Sequence, residues 1–461
     1  MYIFIFRRDL RLVDNNGINY LIEKSIPILP IFIMDPKQID RDINPYFSDR
    51  SVQFMHESLK DLDRELKKKS KFGLRIFEGV VSDVLTDIIL KNQVDGICFN
   101  EDYTPYSKER DSSISKLCSL HNLECHIASD ICLYDFKKIN TKSGSPYKKF
   151  KWFYQTTKSM KVVKPLNNTQ SMSIFDENIK SDYSSNLSKL SQKYKYSSNS
   201  IVFGGRSNGI KLMNKNIKLL KNYKAVRQIP LITNKPSSTL LSAYNKYGCI
   251  SIRELYHQVN NLYGSDHEII RQLVWRDFYY NLVFNYPETF LNNDHSYIKG
   301  FKWDNNQEYF EKWCNGLTGY PFIDASMRQL NTEGYMSNRG RLACASFLIR
   351  NLHIDWKLGE KYFANKLIDY DPSQNNGNWQ WVSSSGYESQ AYYRYINPEK
   401  DLIEFDPTCI YVKKYIGELI DTEYTKILEG QAHQVSSYTE PIVDIKDTIK
   451  SFKDKVLDLK K

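Results

Sequence analysis

A change of hydrophobic period near residue 130 constrains this chain more than any other feature. From Tyr2 to about Asp130, short apolar runs (YIFIF, IPILPIFIM, LRIFEG, DGICFN and LECHIAS) are separated by charged amphipathic stretches. Near-continuous apolar runs alternating with helical patterns are the rhythm of a parallel sheet buried on both faces. In the clearest helix, predicted over Ser51 to Lys69, the residues Val52, Met55, Leu59, Leu62 and Leu66 recur at three- and four-residue steps and give one buried face. From Gly204 to about Leu419 the period is helical, as in IRQLVWRDFYYNLVF and RLACASFLIRNL. The predicted fold is an α/β N-terminal domain, a parallel five-stranded sheet with flanking helices, followed by an all-α C-terminal domain. Predicted limits are 1–130 for the first domain and 201–420 for the second. Between them, 131–200 is rich in Ser, Asn, Lys and Tyr and reads as a long connection. The end, 421–461, reads as a charged tail forming a surface helix or fraying.

At 461 residues the chain is too long for one ordinary core, and 41% hydrophobic residues with 33 Tyr and 23 Phe exclude wholesale disorder. The net charge of +10 favours a polyanionic partner, although charge alone speaks only to non-specific attraction. No apolar stretch is long enough to span a bilayer, and MYIFIFRRDLR turns charged too early for a signal peptide. The expectation is a soluble, intracellular monomer, cytoplasmic or nuclear. The eight cysteines never fall into a CxxC pattern and the eight histidines do not cluster with them, so reduced thiols and no metal site are expected. No GxGxxG follows the first strand, so the usual dinucleotide fingerprint is missing.

Tryptophan carries the chemistry, and its contexts are specific: EKWCNG at Trp313, HIDWKLG at Trp356, and NNGNWQW at Trp379 and Trp381. Taken singly, each indole is better explained by packing. The string from TGYPFIDASMRQL to NNGNWQW, with FRRDLRLVDN, NEDYTPYSKERD and LSAYNKYGCIS, resembles the photolyase and cryptochrome family over nearly the whole chain.

The resemblance implies FAD bound within the helical domain, and DNA containing pyrimidine dimers as partner. Family positions that hold the flavin correspond here to Tyr223, to the segment Ser238, Thr239, Leu240, Leu241 and Ser242, and to Gln272, Arg276, Tyr279, Asn338, Arg341, Asp369, Asp371 and Asn375. Small hydroxyl residues at a helix start suit phosphates, although N-capping explains them as well. Arg341 and Asp369 match a buried pair beside the flavin ring, and Asn375 matches the amide facing its N5, which can both donate and accept. Trp379, Trp356 and Trp313 match a chain of indoles that carries an electron between flavin and surface.

The lesion side is implied to comprise Trp275 and Trp381 as aromatic walls for flipped-out bases, with Gln272, Asn338 and Leu342 near them. Arg227, Arg339 and Arg394 match positions bordering the opening, where phosphate contacts are expected. Gln272 departs from the family's usual Glu. Gly340, within YMSNRGRL, departs toward the DASH-type cryptochromes. Tyr106 and Ser107 stand where folate-binding members carry Asn and Glu, so an antenna chromophore, folate or deazaflavin, is left open. The implied activity is light-driven repair of cyclobutane pyrimidine dimers; the alternatives are a DASH-type enzyme for single strands and a photoreceptor.

Overall fold

A computed structural model describes residues 1–194, 196–230, 236–290, 298–391 and 393–459. They divide into two compact units. The first comprises Met1–Ser197, Val202–Ile217 and Leu240–Pro287, and the second Ser198–Ile201, Lys218–Thr239 and Glu288–Lys461.

The apolar runs of the first unit become β1 (Tyr2–Phe6), β2 (Ile28–Met34), β3 (Arg75–Glu78), β4 (Gly96–Asn100) and β5 (Glu124–Ala128), all parallel. Every residue of β1, β2 and β4 is buried, which is why these strands read as unbroken apolar runs rather than alternations. A sixth strand not expected from the sequence, β6 (Ser184–Ser185), pairs antiparallel with β3 and completes the order β5-β4-β1-β2-β3-β6. The predicted helix is α1 (Asp49–Leu66), capped by Ser48, and all five of its periodic apolar residues are buried.

Residues 131–200 are not a free linker. They carry β6 and α2 (Phe150–Thr157), bury Phe150, Phe153, Val162, Met172 and Leu190, and join β2 through an Ile28–Ile174 bridge. The 240–287 stretch, placed by its period in the helical domain, packs with the sheet unit. Its longest helix, α3 (Glu268–Asn285), shows the reason. Asp277 accepts from the Leu133 and Tyr134 amides, Asn281 donates to the Tyr147 carbonyl, and Arg8 donates to the Tyr280 hydroxyl at 2.7 Å. Polar side chains of α3 thus satisfy backbone groups of the 131–147 segment, which a helix of the other unit has no reason to do.

The second unit is helical, with α4 (Gln307–Asn315), α5 (Pro321–Glu333), α6 (Asn338–Arg350), α7 (Trp356–Lys366), α8 (Pro372–Ser383) and α9 (Ile445–Asp458). Its core runs through Trp313, Phe347, Leu348, Trp356, Phe363 and Trp379. The charged end also departs from expectation: Ile445, Ile449, Phe452 and Val456 sit three and four residues apart on α9 and are all buried in this core. Among the described residues no helix is long and apolar enough to cross a membrane.

Candidate functional site

In the second unit the site is built on α8 against α7. Asp371 caps α8 by accepting from the Gln374 amide at 3.2 Å, with Pro372 in the first turn. From that start, Asn375 and Trp379 fall one turn apart on the same stripe. The Asn375 amide nitrogen donates to the Glu360 carbonyl at 3.1 Å and to Glu360 Oε1 at 2.9 Å, which leaves its carbonyl oxygen to offer a ligand. Glu360 is buried, and burial pushes its carboxyl up to about 7 despite the Asn375 hydrogen bond. Trp379 sits close on α7: a Cβ at Gly359 would come within 2.3 Å of the Trp379 ring and 2.4 Å of Leu348.

Arg341 and Asp369 form the expected pair. Two contacts of 3.1 and 2.9 Å join the guanidinium to the carboxylate, and Arg341 Nε donates to the Met336 carbonyl at 3.0 Å. Beside them Tyr335, itself buried, bonds the Ser238 side chain, so one residue of the hydroxyl segment is tied to the Arg341 neighbourhood. The segment turns at Leu240, whose φ of 57° is unusual for a branched residue. The helix that follows spans only Ser242–Lys246, and Leu241 provides no side-chain cap. Capping therefore does not explain the hydroxyls. Ser242 is exposed.

In the first unit α3 presents Gln272, Trp275, Arg276 and Tyr279. Gln272 donates to Glu268 at 2.7 Å, so the carboxylate missing at 272 stands one turn away. Trp275 is half-buried and stacks on Phe150 at 3.5 Å and 7°. Arg276 donates to the Ile131 and Asn245 carbonyls at 2.6 and 3.3 Å, a structural engagement the sequence did not indicate. Tyr279 is buried. Tyr106 donates to Asp35, and Ser107 to Asp102 at 3.2 Å.

Residues 269–458 match the FAD binding domain of DNA photolyase, and residues 2–170 match DNA photolyase. The deoxyribodipyrimidine photo-lyase of Agrobacterium fabrum is 31% identical over 423 residues, covering 90% of this chain and 86% of its own. The chain belongs to the DNA photolyase family. Among solved structures, an archaeal photolyase from Sulfolobus tokodaii with two FAD molecules is 36% identical, with 99% of each chain covered and a TM-score of 0.86. A bacterial class III photolyase from Agrobacterium tumefaciens is 28% identical, with 100% and 97% covered and a TM-score of 0.89.

The cofactor of this photolyase is FAD, and the residues present fit it. The acceptor left on Asn375 suits the N–H of a reduced flavin. The Arg341–Asp369 pair and the Tyr335–Ser238 contact place polar groups where an otherwise apolar helical core would have none. Glu360, which orients Asn375, was missed in the sequence because an acid on an amphipathic helix reads as surface.

One assignment from the sequence needs correction. Trp313 cannot be the solvent end of an indole chain, because it is 0% exposed, as buried as Trp356 at 2% and Trp379 at 3%. Packing explains its depth: it stacks on Phe363 and donates Nε1–H to the Cys344 carbonyl at 3.1 Å. Trp303 is half-buried and packs against the same core. Its segment is tied to the start of α7, since the Asp304 amide donates to the His353 carbonyl and the Asp355 amide to the Asn305 side chain.

Arg339, expected at the opening, is half-buried. Its guanidinium is engaged by buried Asp401, with Nε–H donating at 2.7 Å, while Arg394 is exposed and Arg227 is half-buried and lies over Tyr223. Asn338 is exposed at the start of α6, while Leu342 and Trp381 are half-buried against the core. Gly340 has a local reason, since a Cβ there would come within 2.9 Å of Met336 and Ser326.

Proposed function

We propose that this photolyase splits cyclobutane pyrimidine dimers in DNA under light. One observation carries the reading. The tryptophans are sorted by burial, with Trp313, Trp356 and Trp379 closed into the core and Trp275 and Trp381 each keeping part of the ring uncovered. Buried indoles suit electron transfer without water, and part-open ones suit stacking on bases that have left the helix. When bound in its reduced state, FAD supplies the photoexcited electron that opens the cyclobutane ring.

The chain's own residues do the rest. Asn375, held by Glu360, orients an acceptor toward reduced flavin, and Arg341 with Asp369 fixes the polar side of its site. Arg227 and Arg394 supply phosphate contacts that hold register without reading sequence. No histidine stands at 338 or 342, where photolyases acting on (6-4) lesions carry their acids, and this favours the cyclobutane dimer as substrate. Gly340 is accounted for by packing, so it lends the DASH-type reading no support. A dimer-containing oligonucleotide, illuminated in single- and double-stranded form with the FAD-loaded protein, is expected to be repaired as a duplex. Repair of neither form would overturn the proposal, and repair of the single strand alone would favour the DASH-type enzyme.

A further inference from the structure

Trp313 is too buried to pass a charge to solvent, yet it is the aromatic neighbour of Trp379 best able to accept one. The two indoles lie 6.5 Å apart, centroid to centroid, at 71°. Phe363 lies 5.0 Å from Trp379 and 5.8 Å from Trp313, but a phenyl ring is too hard to oxidise to act as a relay. On its other side Trp313 meets Tyr362 at 5.7 Å and 61°. Tyr362 is half-buried, and its hydroxyl lies within donating distance of Asn331 Oδ1 at 2.7 Å and the Cys314 carbonyl at 2.9 Å.

We propose that Trp379, Trp313 and Tyr362 form an electron-transfer branch that ends on a tyrosine. It rests on the reading of Trp379 as the residue that gives the flavin its first electron. In that step Trp379 loses one electron to photoexcited oxidised flavin and becomes a radical cation. Trp313 then gives an electron to Trp379, and Tyr362 gives one to Trp313. Both indoles return to neutral, and the phenolic proton goes to water at the half-buried edge, leaving a neutral phenoxyl radical. One electron has moved from Tyr362 to the flavin, and one proton has left.

Electrostatics drives the last hop. A radical cation on Trp313 is a charge in a water-free core, and its N–H cannot discharge it because that proton is held by the Cys344 carbonyl. Tyr362 can shed its charge as a proton. Burial holds the proton on the neutral phenol, but the Lys366 ammonium, 5.3 Å over the ring and one turn along α7, opposes a positive charge there, so an oxidised Tyr362 is relieved as its proton leaves.

Flash photolysis of the full chain loaded with oxidised FAD, followed by transient absorption and EPR, tests this. Wild type is expected to show a tryptophan radical replaced by a longer-lived phenoxyl radical, more slowly in heavy water. Tyr362→Phe is expected to lose the phenoxyl signal while keeping the tryptophan one, and Trp313→Phe to lose the phenoxyl signal although Tyr362 is intact. An unchanged spectrum in Tyr362→Phe, or no phenoxyl radical in wild type, overturns the branch. Trp379→Phe separates the two ideas: if aromatic radicals persist there, the reading of Trp379 as first donor is what fails.

Discussion

In the sheet-bearing unit the buried carboxylate of Asp130 lies between two guanidinium groups, whereas in the helical unit Glu360 is equally buried and has an amide for company. Asp130 is 2.7 Å from Arg11 and 2.9 Å from Arg253, and Arg253 also reaches Asp14 at 2.9 Å. Burial acts to raise the Asp130 carboxyl, but the two cations hold it below its ordinary value. At Glu360 the Asn375 hydrogen bond opposes burial without outweighing it, and the carboxyl rises to about 7. The contrast separates a charge that fastens the fold from one kept titratable. The Asp130 network ties chain segments 119 to 239 residues apart. Glu360 ties α7 to α8 through the Asn375 amide.

Breaking the fastened charge has the larger expected effect. Asp130→Asn leaves Arg11 and Arg253 buried without their shared counter-charge, and removal of one partner from such a network costs about 3–5 kcal/mol. The urea midpoint of the transition that carries the sheet unit should fall accordingly, with its slope unchanged. A loss below about 1 kcal/mol would mean that Asp14 alone suffices for both arginines.

The titratable charge has the opposite sign. A folded-state value of about 7, above the ordinary 4.5, means that the fold favours neutral Glu360. Its contribution is fully present below about 4.5 and is lost as pH rises through 7. Glu360→Gln keeps the acceptor for Asn375 and removes the ionisation, so above pH 7 it should be more stable than wild type by up to about 3 kcal/mol. The gap should close toward acid. Parallel stability curves for the two proteins would show that Glu360 does not titrate in this window.

Much of the fold was legible because strands buried on both faces leave unbroken apolar runs, and β1, β2 and β4 could be marked directly. The connection was not. Phe150, Phe153, Val162, Met172 and Leu190 hold it to the sheet unit without any period, against a background of Ser, Asn and Lys. At the C-terminal end the apolar spacing of α9 was present in the sequence and was outweighed by its charge. In the site, the Arg341–Asp369 pair was reached through family resemblance, since 28 residues separate partners that only the packing of the second unit brings together. The depth of Trp313 was not legible, because burial of an indole is decided by neighbours such as Phe363 and Cys344 that its local string does not name.

The smallest expected effect concerns Gln272, where charge was neither fastened nor buried but omitted. Glu268 accepts from Gln272 at 2.7 Å, so Gln272→Glu replaces a hydrogen bond by two carboxylates one turn apart. On a helix, such a like-charge pair costs about 0.2–0.5 kcal/mol. The variant should unfold slightly more easily at low ionic strength, with the difference shrinking as salt screens the pair. If Gln272 also contacts the dimer, the added charge should raise the repair yield per absorbed photon. An unchanged yield, with the stability loss present, would confine residue 272 to holding Glu268 and exclude it from the lesion contact.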